Sequence, residues 1–379
     1  MEPVGYFVST GNAWDYVATV ASIGALAVFL AGYFASRVNF KQCFEALNYF
    51  DRASLWLWFA GIFAVVVVII INEKLNISHV PVSPRKLDIP WPLQGLFNWF
   101  LATGALIFLF VPLYFDALKG RIVKSIFLFI AVCVAISVSL YSRGIVVYGS
   151  LILLSGIFVY GKFLPAINKI TLAKIFLIIV IGTIFSIILS QERREDFNER
   201  RQQGVVVNSE VSSNRFISDH SLFLILKLPL ERWVGLEGIM AVSAYPGKGA
   251  QLLYTAIQER RTVGPVDMYT NKIALSPTTD TEVAMYATPP GIIAFFLYAD
   301  NLIIVFAGVF LFTLCMIFAE YLVMHFSGNL FLASAIGTAG AMQLIHTGSG
   351  GLLVPAQMFA TTLAFCILIG SLSRKLLAR

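Results

Sequence analysis

The sequence predicts an all-α polytopic membrane protein of about nine transmembrane helices, with one large, partly helical loop domain between the sixth and the seventh. Three observations predict it. Apolar residues make up 58% of the chain and charged residues only 13%, about half the charge of a soluble domain. The apolar residues are gathered in runs long enough to cross roughly 30 Å of hydrocarbon, which takes about 20 helical residues. The charge, by contrast, is concentrated: residues 191–288 hold 11 of the 27 Lys/Arg and 12 of the 21 Asp/Glu.

Taken in order, the apolar segments are 14–36, 54–72, 93–115, 123–140, 146–164, 174–190, 301–324, 330–347 and 352–373. They divide the chain into a six-span region (1–190), a loop domain (191–288) and a C-terminal region of three spans (289–379). The N-terminal stretch MEPVGYFVSTGNAWD has neither a basic n-region nor a small-residue cleavage pattern, so the first span reads as a retained helix and not a secretory signal. Segment 289–300, PPGIIAFFLYAD, is too short to span and reads as an interfacial or re-entrant helix leading into span seven.

Sidedness follows from the short loops. Arg37, Lys41, Arg52, Lys119, Arg121, Lys124, Lys162, Lys169, Lys174, Arg374, Lys375 and Arg379 all fall on one side, whereas Lys74, Arg85, Lys86 and Arg143 fall on the other. The positive-inside rule makes the first side cytoplasmic and puts the N-terminus and residues 191–288 outside; long loops cross largely regardless of their charge. The net charge of +6 is thus a topology signal and not a nucleic-acid surface, since the large loop carries one more acidic than basic residue.

A polar block of this length between spans exceeds any plain connector, and such loops are functional or disordered. Disorder is disfavoured by RFISDHSLFLILKLPLERWVGLEGIMAVSAYPGKGAQLLY (215–254), which is rich in residues able to pack. Within it, GKGAQLLYTAIQERR predicts an amphipathic helix with Leu252, Leu253, Ala256 and Ile257 on one side and Arg260 and Arg261 at its C-terminus. SLFLILKLP (221–229) predicts a second short helix lying on the membrane surface.

Cys43, Cys133, Cys315 and Cys366 lie in or beside spans without metal-ligand spacing and read as small apolar residues. His79, His220, His325 and His346 are scattered, and no Walker, dinucleotide, GxSxG or HExxH signature occurs. No metal or cofactor is expected.

What the outer face offers is arginine beside apolar surface. Arg143 interrupts SLYSRGIVV between spans four and five, where a guanidinium is costly unless it snorkels to the interface or meets an anion. Arg215, Arg232, Arg260 and Arg261 recur in the large loop. Guanidinium forks bind phosphate oxygens bidentately, so arginines converging at the membrane surface suit a lipid-linked diphosphate.

The tripeptide SRG at 142–144, the run RF…DH…RWVGLEG between 215 and 238, and PGII at 290–293 together resemble the bacterial O-antigen polymerases, members of a superfamily shared with the O-antigen ligases. The resemblance covers roughly residues 130–325. It implies a metal-independent glycosyltransferase of the Gram-negative inner membrane, with N-terminus and large loop periplasmic and C-terminus cytoplasmic. Such an enzyme joins an undecaprenyl-diphosphate-linked glycan donor to an acceptor glycan carried by the same lipid, and works beside a chain-length regulator. Two departures stand out. The Arg-x10-Gly spacing of some polymerases is not met by Arg143, since position 154 is leucine, nor by Arg215 or Arg232. Eleven residues before Gly291, where ligases carry the histidine of a His-Asn pair, this chain has Asp280.

The candidate proton acceptors are therefore Asp280, Glu282 and His220, in that order, although SPTTD also reads as a helix-capping run. Three other readings remain open: an O-antigen ligase, a transporter or flippase of lipid-linked glycans, and a non-catalytic assembly partner. Coupled transport places ionisable residues inside spans, and here only Asp300 and Glu320, toward the ends of span seven, stand out.

The topology is tested with cysteines at positions 213 and 371 in a cysteine-free background. Ser213→Cys should react with an impermeant thiol reagent in intact cells and Ser371→Cys should not; equal labelling would overturn the assignment.

Overall fold

The computed structural model describes residues 5–8, 10–37, 51–75, 77, 93–140, 142, 144–160, 168–204, 236–259, 268–274, 290–345 and 352–377. Among them there is no strand. The helices are α1 (Gly11–Arg37), α2 (Asp51–Leu75), α3 (Leu93–Trp99), a π-helical turn (Phe100–Gly104), α4 (Ala105–Leu118), α5 (Ile122–Ser139), α6 (Gly144–Tyr160) and α7 (Lys169–Gly204). After these come α8 (Leu236–Ala244), α9 (Ala250–Gln258), a second π-helical turn (Tyr269–Ala274), α10 (Gly291–Leu297), α11 (Leu302–Ser327), α12 (Leu330–Ile345) and α13 (Leu353–Leu377).

Each of the nine apolar segments is helical over most of its described residues. Seven of these helices are long and apolar enough to cross a membrane by length and composition, and Gly144–Phe158 and Leu330–Met342 are shorter apolar helices. The chain is thus an all-α membrane protein. Its helices differ from the sequence reading mainly at one end: α7 does not stop at 190 but continues to Gly204, so the polar block begins as an extension of the sixth apolar helix.

The chain divides into two compact units: Met1–Asn39 with Arg201–Cys315 and Gln343–Gln357, and Phe40–Arg200 with Met316–Met342 and Met358–Arg379. The second unit is built around α4. Its ALIFLFVPLYF run is apolar on every side, so it is stable only in the middle of a bundle, and its residues from Ala105 to Phe115 other than Phe108 are buried. In lipid, burial of apolar surface gives helices no reason to associate; close packing and polar contacts decide which faces meet.

Those contacts are specific. Asp116, near the C-terminal end of α4, accepts hydrogen bonds from Ser54 Oγ (2.7 Å to Oδ1) and Trp58 Nε1 (2.8 Å to Oδ2) of α2, and from Ser125 Oγ (2.5 Å to Oδ2) of α5. At the other end of the same helices Asn72 Nδ2 of α2 donates to Ser139 O (3.2 Å) and Oγ (3.1 Å) of α5. The two pins make α2 and α5 parallel to each other and antiparallel to α4. This is the alternation that spans two, three and four require.

Elsewhere Trp99 Nε1 donates to Thr362 Oγ1 (2.9 Å), tying α3 to α13. The Ser155 hydroxyl of α6 lies 2.7 Å from both Ser334 and Thr338 of α12. An Arg193–Glu73 ion pair (3.2 Å) joins α7, just past its apolar part, to the end of α2. Since Asn72 and Glu73 are adjacent, the α5–α6 turn and the start of the polar block lie on one side of this unit.

In the first unit the helices of the polar block are packed on α1. Phe7, Val17 and Val20 share a core with Ile239, Met240 and Val242 of α8 and with Phe295 and Tyr298 around α10. The predicted amphipathic helix is α9, with Leu252, Leu253 and Ala256 inward. It ends at Gln258, before Arg260 and Arg261, and Ile257 is 41% exposed, contrary to its expected place on the packed face. Segment 221–229 lies outside the described residues.

Removing the Asp116 carboxylate strands three donors at a helix junction. Asp116→Ala should cost about 2–4 kcal/mol, given roughly 1 kcal/mol or more for each hydrogen bond to a charged group. Asp116→Asn, which can still accept from Trp58 and Ser125, should lose clearly less; thermal unfolding of both variants in detergent measures the difference.

Candidate functional site

Arg143, Arg215, Arg232, Arg260, Arg261, Asp280, Glu282 and His220 all lie outside the described residues. The residue before Arg143 does not: Ser142 N donates to Ser137 O (2.9 Å) and Ser137 Oγ donates to Ser142 O (2.7 Å), which closes the turn from α5 to α6 tightly.

The described residues do bring two of the resemblance motifs together. Gly238, the last residue of RWVGLEG, lies in α8 directly against Pro290, the first residue of PGII. A Cβ at 238 would stand 2.6 Å from Pro290 Cα and still closer to its carbonyl oxygen, so only glycine allows the contact. Gly291 follows at φ 79°, a backbone conformation glycine adopts without cost and other residues rarely do, and α10 starts there.

The depth of this junction is given by α1. Ile293 of α10 fills the space beside Gly24, thirteen residues into α1 and therefore about 20 Å along it at 1.5 Å per residue. The chain then climbs back: Phe296 packs on Gly308 of α11, and Tyr298–Asn301 forms the corner from which α11 descends. Segment 289–300, read from the sequence as interfacial or re-entrant, holds a short helix in its described part, and this helix, α10, runs alongside the middle of α1.

The corner at the top is polar and charged. Asp300 has φ 54°, the positive value among described non-glycine residues, and its N–H donates to Leu297 O (2.9 Å). Asn301 caps α11 through Oδ1, which accepts from Ile303 N (2.8 Å). Asp and Asn both tolerate the left-handed region of such a turn, and Asn is a good N-cap.

Lys248, in the YPGKG turn between α8 and α9, reaches this corner. Its Nζ lies 3.4 Å from Asp300 Oδ1, donates to Ser243 O at 2.5 Å, and sits 5.6 Å from the centre of the Tyr16 ring of α1. Gly249 N donates to Tyr298 O (2.7 Å), which fixes the two turns to each other. Beside them Tyr245 meets Tyr6, ring centroids 6.1 Å apart.

The ammonium is mostly shielded, with 15% of its side chain exposed, whereas the Asp300 side chain is 52% exposed. A shielded cation that also lies over the Tyr16 ring therefore holds an accessible carboxylate, where α1 and α11 begin. Chemically, this arrangement accepts hydrogen bonds from hydroxyl groups and offers aromatic surface. Sequence reading missed it because Lys248 and Asp300 lie in different segments; the unusual YADN turn before a span was the available signal.

No family model, no curated protein and no solved structure matches the chain.

The Gly238–Pro290 contact is testable by itself. Gly238→Ala puts a methyl group into immovable backbone, an overpacking that typically costs about 1–3 kcal/mol. The variant should unfold at lower temperature in detergent and lose activity at reduced yield, while Gly11→Ala, where a Cβ meets open space, should change neither.

Proposed function

We propose that this chain is a membrane glycosyltransferase that polymerises undecaprenyl-diphosphate-linked oligosaccharide repeat units into O-antigen polysaccharide, with the large polar block at the periplasmic face of the Gram-negative inner membrane. The observation that carries the reading is the junction of Gly238 with Pro290 and Gly291. Two stretches that resemble the polymerases, about fifty residues apart, meet there, and a short helix runs from that junction to a polar corner. A substrate with a membrane-buried tail and a hydrated glycan needs a path of that kind.

The chemistry asks for little machinery. A hydroxyl of the acceptor glycan attacks the anomeric carbon of the donor, the bond from that carbon to the diphosphate oxygen breaks, and the hydroxyl proton passes to a base. Negative charge grows on the departing diphosphate, so fixed guanidinium groups stabilise the transition state more than the ground state. Arg143, Arg215 and Arg232 take that role in the proposal, with Arg260 and Arg261 as further glycan or diphosphate contacts. Asp280 is the first candidate for the base, ahead of Glu282 and His220; a positioned base contributes typically about 10²–10⁴-fold. A chain-length regulator protein is the partner that the reading implies.

The first experiment is incubation of purified protein with a lipid-linked repeat unit. A polymerase yields a ladder on a gel, whereas a ligase, a flippase or an assembly partner does not. Arg143→Ala should abolish the ladder and Arg143→Lys should restore little of it, because a point charge does not replace a bidentate fork. Asp280→Asn should lower turnover at least tenfold with substrate still bound; full activity would move the role to Glu282 or His220.

A further inference from the structure

We propose that the corner formed by Tyr6, Tyr16, Tyr245, Lys248 and Asp300 is a carbohydrate subsite: a pyranose ring lies on the Tyr6–Tyr245 pair while the Asp300 carboxylate accepts hydrogen bonds from its hydroxyl groups. The inference rests on the glycan-polymerising reading and adds to it a place where the sugar is held.

Three features carry it. The first is the aromatic surface. Tyr6 is 51% exposed and tilted against Tyr245, leaving an open aromatic face of the kind that takes the C–H side of a sugar and offers phenolic hydroxyls at its rim. The second is the carboxylate. Asp300 is half exposed although it is ion-paired, and its partner Lys248 is held from two further directions by Ser243 O and the Tyr16 ring. The lysine is therefore committed to orienting the carboxylate and not to binding an anion of its own. Charge-assisted hydrogen bonds from sugar hydroxyls to such a carboxylate are among the stronger neutral-ligand contacts.

The third feature is backbone conformation. Asp300 keeps a positive φ, a strained state for most side chains and one that clusters at ligand sites. Asparagine adopts this conformation as readily, and glycine more so, so a purely architectural role would not need the charge. A few convergent polar groups over apolar and aromatic surface are the ordinary make-up of a small-ligand site.

The test uses the full-length protein in detergent and the repeat-unit oligosaccharide released by mild acid from the producing cell's own lipid-linked pool. Binding is read by saturation-transfer NMR. Wild type should transfer saturation to sugar ring protons, and Tyr245→Ala and Asp300→Asn should each weaken binding tenfold or more. Asp300→Asn should do so with an unchanged thermal midpoint, which separates the lost charge from a lost fold. Unchanged affinity in both variants, or no transfer in the wild type, overturns the subsite. So does a Tyr245→Ala variant that binds sugar normally and loses only its association with vesicles, the behaviour of an interfacial anchor. The gel ladder keeps the two proposals apart. A ladder with normal sugar binding in both variants removes the subsite and leaves the polymerase; sugar binding that depends on Tyr245 and Asp300 without any ladder does the reverse.

Discussion

The carboxylate of Asp116 is the contact on which the larger unit depends. A bundle of apolar helices in lipid gains little from hiding one greasy face against another, because the surrounding acyl chains are equally apolar. Register and direction must then come from the few polar groups and from close packing. Asp116 gathers Ser54, Trp58 and Ser125 from two neighbouring helices onto one pair of oxygens, and a carboxylate left without those donors at that depth would be costly. The Asn72–Ser139 pin at the far end prevents α2 and α5 from sliding against each other. Small residues do the rest: Gly149 lets the Cys133 thiol and Phe129 approach α6, and Gly182 receives Ile130 from α5.

The other unit is organised by a different constraint, the close approach of short helices: α8 and α10 lie against each other and against α1, and α10 starts at Pro290 and Gly291. Proline lacks the N–H that would have been left unpaired, and glycine supplies the positive φ. The same two residues that look like a family motif in the sequence are the residues this turn requires. That is a physical reason for the motif independent of the resemblance.

The helices were legible because apolar runs of about 20 residues have almost no alternative in lipid. The relative directions of the second, fourth and sixth apolar helices were legible. The α2–α5 and α2–α7 contacts give the relative directions that the basic residues of the short loops require, while which side is cytoplasmic rests on those residues alone. What sequence missed were features set by tertiary neighbours. The extension of α7 to Gly204 runs through QERREDFNERRQQG, whose residues are good helix formers but give no apolar periodicity to mark an end. Ile257 follows the amphipathic pattern of α9 and is still exposed, because the partner surface covers only Leu252, Leu253 and Ala256. The Lys248–Asp300 pair leaves no trace in the periodicity, which does not register a contact made across two turns.

Charge in this protein is used in two distinct ways, and the difference bears on function. Within the bundle of the larger unit, two acidic groups are turned onto neighbouring helices: Asp116 accepts from three donors, and the Glu320 carboxylate stands beside Gly337 of the next helix. Groups used that way set register. At the corner above α10 the arrangement is reversed: Lys248 is enclosed and Asp300 faces water. An ion pair with one partner exposed contributes little to stability, because solvent screens it. Gly249 N already fixes those turns through Tyr298 O. The exposed carboxylate is thus not needed to hold the two turns together.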